Sequence, residues 1–404
     1  MLRINSNTIP STFELIYDFQ NVFGQIFYNN LAISFINEYQ IVNFKFSANI
    51  TNQLRSNLDL SKGVTFFAIS SFREIDTIVH IKNCCVSSTA EILAEGYFIA
   101  FRDNEKLGDQ KIVKNITKKC DKILCFNNNC QTIYGHFIYD FLASLVIVPK
   151  DLLNGAKILT AYNEEKSKEF LTLFGFNSSD LIFEENGYVF CNDLYYVKNF
   201  VPFLGKLTYS VPLLSKVLKE KLKLNEIKPT KINFLNRINY PRVLTNIHEI
   251  IKLGMRKYPK YQWKEIDCLE KNLSVFAKEI STSLVLVTSA GSGTANFIFM
   301  HEKTGVIVAA PNVIEWSVIS TISLNLFMIY YKQSSLGFWE AQEIQLSQNP
   351  FFIHFKNILY AVQHGKWNSL STDYQQFLNL NDVESRLEFK LRELELKMAD
   401  IYTE

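Results

Sequence analysis

Apolar and polar positions divide the 404-residue chain into two halves of different texture. In the second half, short apolar runs alternate with segments whose apolar residues recur every three or four positions: KINFLNR, VLTNIHEIIKLGMRKY, QWKEID, LSVFAKEI, SLVLVTS. A glycine-rich turn follows, then TANFIFMHE, GVIVAA, a further helix and FMIYYKQ. Short apolar runs bounded by turns are strands buried on both faces, and the three-to-four spacing is that of an amphipathic helix. This βαβ series predicts a parallel, doubly wound sheet whose ligand lies beyond the carboxyl ends of the strands.

The first half is less regular. Its first sixty residues are rich in Asn, Phe and Ile and keep no sustained period, so only short helical and extended pieces are expected there. From Gly63 onward GVTFFAIS, TIVHIKNCCV, GYFIAFRD and KILCFNN read as strands of a mixed or antiparallel layer. YGHFIYDFLASLVIV then keeps apolar residues at helical spacing, and a break at Pro149 leads to the strand AKILTAY and the helix KSKEFLTLFGF. Pro202 and Pro212 punctuate the approach to the charged helix LLSKVLKEKLKL, which puts a domain boundary between Pro202 and Pro229. From Pro350 the chain reads as mainly helical. Leu387, Leu391, Leu394, Met398 and Ile401, at alternating four- and three-residue steps, either pack back on the body or mediate a homo-oligomer. The expected domains are 1–205, 206–340 and a helical tail over 341–404.

Composition narrows the classes. With 48% apolar and 20% charged residues, 15 Gly and 9 Pro, the chain is globular rather than disordered or repetitive. A net charge of +2 gives no global attraction for nucleic acid, so any anion must be held by a local site. The seven cysteines lack C-x-x-C spacing. Cys120, Cys125 and Cys130 are evenly spaced, yet they read as small buried residues rather than as a metal site. No apolar core followed by a cleavage site opens the chain, and FLASLVIV is far short of the ~20 residues that cross a bilayer. A soluble or peripheral protein of a reducing compartment is therefore expected.

Three constellations carry chemistry. The turn Ser289–Phe297 (SAGSGTANF) follows an apolar strand and opens a helix, where backbone N–H groups converge on an anion. It is neither a nicotinamide fingerprint nor a P-loop, and a tight turn needing glycine for its dihedrals is the plain alternative. Arg237 and Arg242 lie just past the strand KINFL, with Pro241 fixing the loop between them. A guanidinium clamps a diphosphate bidentately and is charged at any working pH, whereas a lone arginine is as easily a solvated charge. Finally, His136, Asp140 and Ser144 form one polar stripe at i, i+4, i+8 on an apolar helix. An imidazole held by a carboxylate is a candidate general base, the alternative being a core histidine satisfied by its neighbour.

Taken together, these motifs resemble glycosyltransferase family 61. IYGHFIYDFLASL resembles the family's N-x-G-H-W motif with His136 in register. NRINYPRVLTN resembles R-x-x-x-x-R-x-x-x-N through Arg237, Arg242 and Asn246, and SAGSGTANFIFM resembles H-G-A-G-x-T-N through Gly291, Gly293 and Asn296. The likeness covers roughly residues 123–312. Ala290 stands where the family has histidine, Ser292 replaces its alanine and Ala295 its threonine, and GVIVAA lacks the usual glutamate.

The resemblance implies an α/β protein with two facing Rossmann-like domains of GT-B type and an interdomain cleft. It implies inverting transfer of a sugar from a nucleotide-sugar donor to a hydroxyl of a glycan acceptor. His136 and Asp140 are then the catalytic pair. Arg237, Arg242, Asn246, Ser289, Gly291, Ser292, Gly293, Thr294 and Asn296 are the donor-binding residues. No Asp-x-Asp pair is present, so no metal or other cofactor is expected. Analogy places the work at the cytoplasmic face of the membrane, in surface polysaccharide biosynthesis. A catalytically silent nucleotide-sugar or glycan binder with an assembly or regulatory role is the alternative.

Overall fold

A computed structural model describes the strands 13–17, 24–28, 33–36 and 65–66, and then residues 77–94, 97–99, 116–126, 132–146, 148, 150–184, 187–198, 210–237, 240–266, 272–310, 313–314, 321, 324–332 and 341–365. The segment bearing Leu387 to Ile401 lies outside the described residues, as do Cys130 and Cys268. The chain is α/β and falls into two compact units. Met1–Asn43 with Glu74–Pro202 forms the first, and Phe44–Arg73 with Phe203–Glu404 the second.

In the first unit Phe13–Tyr17 (β1) pairs antiparallel with Gly24–Tyr28 (β2). Ile33–Ile36 (β3) belongs to the main sheet of this unit, while Thr65–Phe66 (β4) counts with the second. The main sheet adds Thr77–Ser87 (β5), Ile92–Ala94 (β6), Tyr97–Ile99 (β7), Ile116–Phe126 (β8), Lys157–Thr160 (β9), Leu181–Phe183 (β10) and Tyr188–Lys198 (β11). Its order is β10-β9-β8-β11-β5-β6-β7, with β3 on β5. The first four strands of that order are mutually parallel and the others antiparallel, so the layer is mixed as expected. β8 begins at Ile116, well before the apolar KILCF, because its first residues are exposed and carry no apolar signal.

After β8 comes one continuous helix, α1, in three parts: Tyr134–His136, a π-helical stretch Phe137–Leu142, and Ala143–Leu145. Lys150–Leu153 (α2) precedes β9, and Glu164–Leu173 (α3), capped by the Asn163 side chain accepting from the Lys166 N–H, precedes β10. Aromatic rings lock α1 in place. Phe141 meets Phe126 of β8 at 4.6 Å between centroids, and Phe137 meets Tyr162 at 4.2 Å and Phe170 of α3 at 5.7 Å.

Cys84, Cys191 and Cys120 stand in register across β5, β11 and β8. The thiols of Cys84 and Cys191 are buried 3.6 Å apart. Their mutual bond and burial push the Cys191 thiol up, which keeps it protonated and inert.

The second unit opens with Ser210–Lys221 (α4) and is built on Lys231–Leu235 (β12). Val243–Leu244 (β13), Ile247–Lys257 (α5), Gln262–Ile266 (β14), Leu273–Ser281 (α6) and Ser283–Ser289 (β15) follow. A 3-10 helix, Ser292–Phe299, leads to Gly305–Ala310 (β16), Val313–Ile314 (β17), Phe327–Lys332 (β18), Glu343–Ile344 (β19) and Gln348–His364 (α7).

The five-stranded sheet of this unit is parallel throughout, in the order β14-β12-β15-β16-β18. Counted along the chain this is 2-1-3-4-5, a doubly wound order whose direction reverses between β12 and β15. α7 packs on β16 so closely that a Cβ on Gly305 would stand 2.8 Å from Ile358 Cγ1, and Gly254 of α5 leaves room for the Trp263 ring in the same way. TANFIFM is a 3-10 helix rather than an α-helix. It is buried on every side, so no amphipathic stripe in the sequence sets its period.

Candidate functional site

In the second unit the chemistry gathers where β12 and β15 end side by side, the point at which the strand order reverses. Asn236 follows β12 directly and is buried. Its Oδ1 accepts the N–H groups of Arg237 and Leu244, each at 2.9 Å, and its Nδ2 donates to Leu244 O at 3.1 Å and Glu265 Oε1 at 3.3 Å. One side-chain amide thus closes the loop that carries both arginines.

The far end of that loop is held by the parallel pair β13 and β19, extended by the N–H groups of Arg242 and Val243 donating to Gln342 O at 2.7 and 3.1 Å. Asn246 repeats the device. Its amide donates to Leu346 O and accepts from Leu346 N–H, both at 2.9 Å.

The loop delivers its two guanidinium groups to one place. Arg237 Nη1 and Arg242 Nε donate to the Ala290 carbonyl at 3.2 and 2.9 Å. Arg242 is buried and sits at φ +68°, a left-handed conformation unfavourable to a side chain bearing Cβ and imposed here by the ties on either side. Gly291 makes the approach possible. Its φ is +127°, and a Cβ there would stand 1.7 Å from Arg237 Nη1 and 2.9 Å from Arg242 Nη2. Gly293 is different: a Cβ would meet nothing nearer than Thr288 Oγ1 at 3.6 Å. Of the two glycines, only Gly291 is required by the geometry.

The turn itself is internally bonded. Thr294 donates through its N–H and its hydroxyl to Gly291 O, at 2.9 and 2.7 Å, and Asn296 Nδ2 donates to Gly293 O at 2.9 Å. Thr288 Oγ1 donates to Leu235 O at 3.0 Å and ties the two strand ends together. Ser289 Oγ is buried at the end of β15 without a hydrogen-bond partner among the described residues. Ser292 and Gly293 are half-buried at the start of the 3-10 helix, whose first N–H groups give that end its positive character. Two cations and a helix start thus meet at the switch point of a doubly wound sheet, in a cradle whose chemistry suits an anion.

In the first unit α1 opens just beyond the carboxyl end of β8, so His136 stands at the corresponding edge of its own parallel layer. His136 Nδ1 lies 2.6 Å from Asp140 Oδ2, and the side chains are 16% and 9% exposed. A buried carboxylate needs such a partner. With Nδ1 engaged, Nε2 is the ring nitrogen turned away from the carboxylate. Ser144 donates to Asp140 O, one turn back along the helix. The π-helical stretch lies over Phe137–Leu142 and includes Asp140; such widened turns recur at functional sites.

Sequence reasoning therefore brought together the arginine pair with Gly291, and His136 with Asp140. It missed Asn236, whose only signal is an asparagine directly after a strand, and β19, whose two residues carry none. Among the described residues no helix is long and apolar enough to cross a membrane.

The fold defines an α/β protein in which two arginines and a glycine turn gather at a strand switch point. Beyond that class, residues 134–307 match the family model described as Glycosyltransferase 61. The matched segment runs from the start of α1 into β16 and includes both the His136–Asp140 pair and the cradle. The chain thus resembles glycosyltransferase family 61 over this region, and the match supports a glycosyltransferase function in general terms. No curated protein matches the chain.

Proposed function

We propose that the protein is an inverting glycosyltransferase of GT-B type that moves a sugar from a nucleotide-sugar donor to a hydroxyl of a glycan acceptor. The observation that carries this reading is the convergence of Arg237 and Arg242 on the Gly291 turn. Two guanidinium groups and a helix start supply the positive field that a departing diphosphate requires. Ser289, Ser292, Gly293, Thr294 and Asn296 shape the rest of the donor site, and Asn246 fixes its frame.

His136 takes the acceptor hydroxyl's proton at the ring nitrogen turned away from Asp140. The hydroxyl oxygen bonds to the anomeric carbon, and the bond from that carbon to the diphosphate oxygen breaks with its electron pair leaving on the nucleotide. Asp140 orients the ring and stabilises the imidazolium that forms. Charge at the diphosphate is met by arginines, so transfer proceeds without a metal ion and survives EDTA. The product is a surface polysaccharide built at the cytoplasmic face of the membrane.

The test is nucleotide release from a panel of nucleotide sugars, with and without oligosaccharide acceptors. Acceptor-dependent release supports the enzyme. Binding across the panel with no turnover supports instead a silent binder, the reading favoured by Ala290, which is fully buried where the family has histidine. Turnover abolished by EDTA and restored by magnesium or manganese would overturn metal independence.

A further inference from the structure

We propose that the outer face of α5 and α7 docks the second unit on an anionic lipid bilayer. This goes beyond the transfer reaction above and does not depend on it. The two helices cover one side of the parallel sheet. Phe234 of β12 meets Trp263 and Phe351 of α7, each at 6.1 Å between centroids, whereas the preceding Asn233 turns to the other side and donates to Glu279 O of α6 at 3.3 Å. α5 buries Ile247, Ile250 and Gly254 and leaves Lys252, Met255, Arg256 and Lys257 exposed. Its carboxyl end is joined to α7 side chain by side chain. Lys257 Nζ lies 4.5 Å from the centre of the Phe352 ring, Tyr258 meets Phe355 at 4.9 Å between centroids, and Gln363 Nε2 donates to the Tyr261 hydroxyl at 2.6 Å. Lys260, in the turn after α5, covers the Tyr261 ring at 4.9 Å. Ile353, next to Phe352, and Lys356, one turn further along α7, are exposed on the same helix.

Lys252, Arg256, Lys257, Lys260 and Lys356 are all exposed, and among the described residues none of them forms an ion pair. Neither α7 nor the turn over 258–261 contains Asp or Glu. The one carboxylate of α5, Glu249, stands in its first turn, ~10 Å along the axis from Arg256. On a chain of net charge +2 this is a local concentration of positive charge. Apolar side chains accompany it: Met255 is 48% and Ile353 57% exposed. The mixture selects the partner. A nucleic acid satisfies the cations and offers nothing to an isoleucine, whereas a bilayer takes both, with headgroup phosphates on the cations and the acyl boundary around the apolar tips. Lysines whose stems lie over Phe352 and Tyr261 reach headgroups with their ammonium ends.

Cosedimentation of the full chain with vesicles tests this, using phosphatidylcholine alone and phosphatidylcholine mixed with phosphatidylglycerol. The wild-type protein should bind only the mixed vesicles and be released as salt rises from ~0.1 M towards ~1 M, where charges are felt over only ~3 Å. Each cation near such a surface strengthens binding about fivefold, so Arg256→Gln combined with Lys260→Gln should weaken it roughly 25-fold at an unchanged melting temperature. Ile353→Ser should weaken it several-fold and leave the salt dependence as it was. Lys221→Gln with Lys223→Gln, exposed at the end of α4, is the control and should bind like wild type. Equal binding to both kinds of vesicle, binding to neither, or wild-type binding by the Arg256→Gln, Lys260→Gln protein overturns the proposal. A DNA duplex bound as tightly as the mixed vesicles, with Ile353→Ser making no difference to either, would overturn it in favour of a nucleic-acid face. The vesicle assay reads no nucleotide, so its outcome is separate from that of the transfer assay.

Discussion

Gly291 and Arg242 carry opposite backbone demands within one small volume. Gly291 occupies a φ of +127° that a Cβ would strain, and that Cβ would strike Arg237. Gly291→Ala should therefore displace a guanidinium. Nucleotide diphosphate affinity is expected to fall at least tenfold, with a stability loss of about 1–3 kcal/mol from the strained dihedral. Gly293→Ala, with only ordinary contacts around its Cβ, serves as the control and should keep both. Arg242 is the reverse case, a bulky residue held at +68°. Arg242→Gly removes the side chain and relieves the backbone together, so affinity should fall by about 1.5–3 kcal/mol while stability changes little. Calorimetry and thermal melts on the three variants check both statements. Unchanged affinity in Gly291→Ala and Arg242→Gly would show that the cradle holds no diphosphate.

At the level of elements, α1 decides whether the first unit contributes chemistry. Its aromatic anchoring to β8 and α3 fixes where His136 stands, and the 2.6 Å bond to Asp140 fixes how the ring is turned. As a base, His136→Ala should abolish transfer and keep nucleotide affinity. His136→Asn should also lose transfer with little loss of stability, because an amide replaces a hydrogen bond but takes no proton. Asp140→Asn should cost less. If instead both His136 variants melt several degrees lower and activity merely tracks the folded fraction, the histidine is structural. The pair was legible in the sequence because helical spacing alone places residues i and i+4 together. The strands of the second unit were legible for a related reason: KINFL, SLVLV and GVIVAA are buried on both faces and read as unbroken apolar runs. β8 was legible only in its buried end, and the pairing of β5 with β11 not at all. That register joins residues such as Cys84 and Cys191, far apart in the chain, and no local pattern encodes it. Asn236 escaped notice likewise, since its partners Leu244 and Glu265 become neighbours only after folding.

Over the whole molecule, stability carries a signature from a group outside the proposed site. Lys219 on α4 is buried, and burial pulls its ammonium down from 10.5 to about 8 against the opposing pull of Glu302. The groups that share its surroundings are Glu302 and His301, whose imidazole is pushed down first by burial and then by Lys219 itself. Below about pH 8 both the folded and unfolded chains hold the lysine proton, and the folded state bears the full cost of the buried charge. Between about 8 and 10.5 the unfolded chain still binds a proton that the folded chain has released, so stability rises with pH across that window. Lys219→Met keeps the length of the buried stem and removes the charge. At pH 7 it should raise stability by up to about 3 kcal/mol, the equivalent of the shift at ~1.36 kcal/mol per unit, in which the attraction to Glu302 is already counted. Most of that gain should be gone by pH 10, where the wild-type lysine is neutral in the folded state and its burial no longer opposes folding. Denaturant unfolding of wild type and Lys219→Met at both pH values reads the difference directly, and the common titration of other groups cancels in the comparison. A gain of the same size at pH 7 and pH 10, or a variant less stable than wild type at pH 7, would show that the lysine sits in its site without an electrostatic cost.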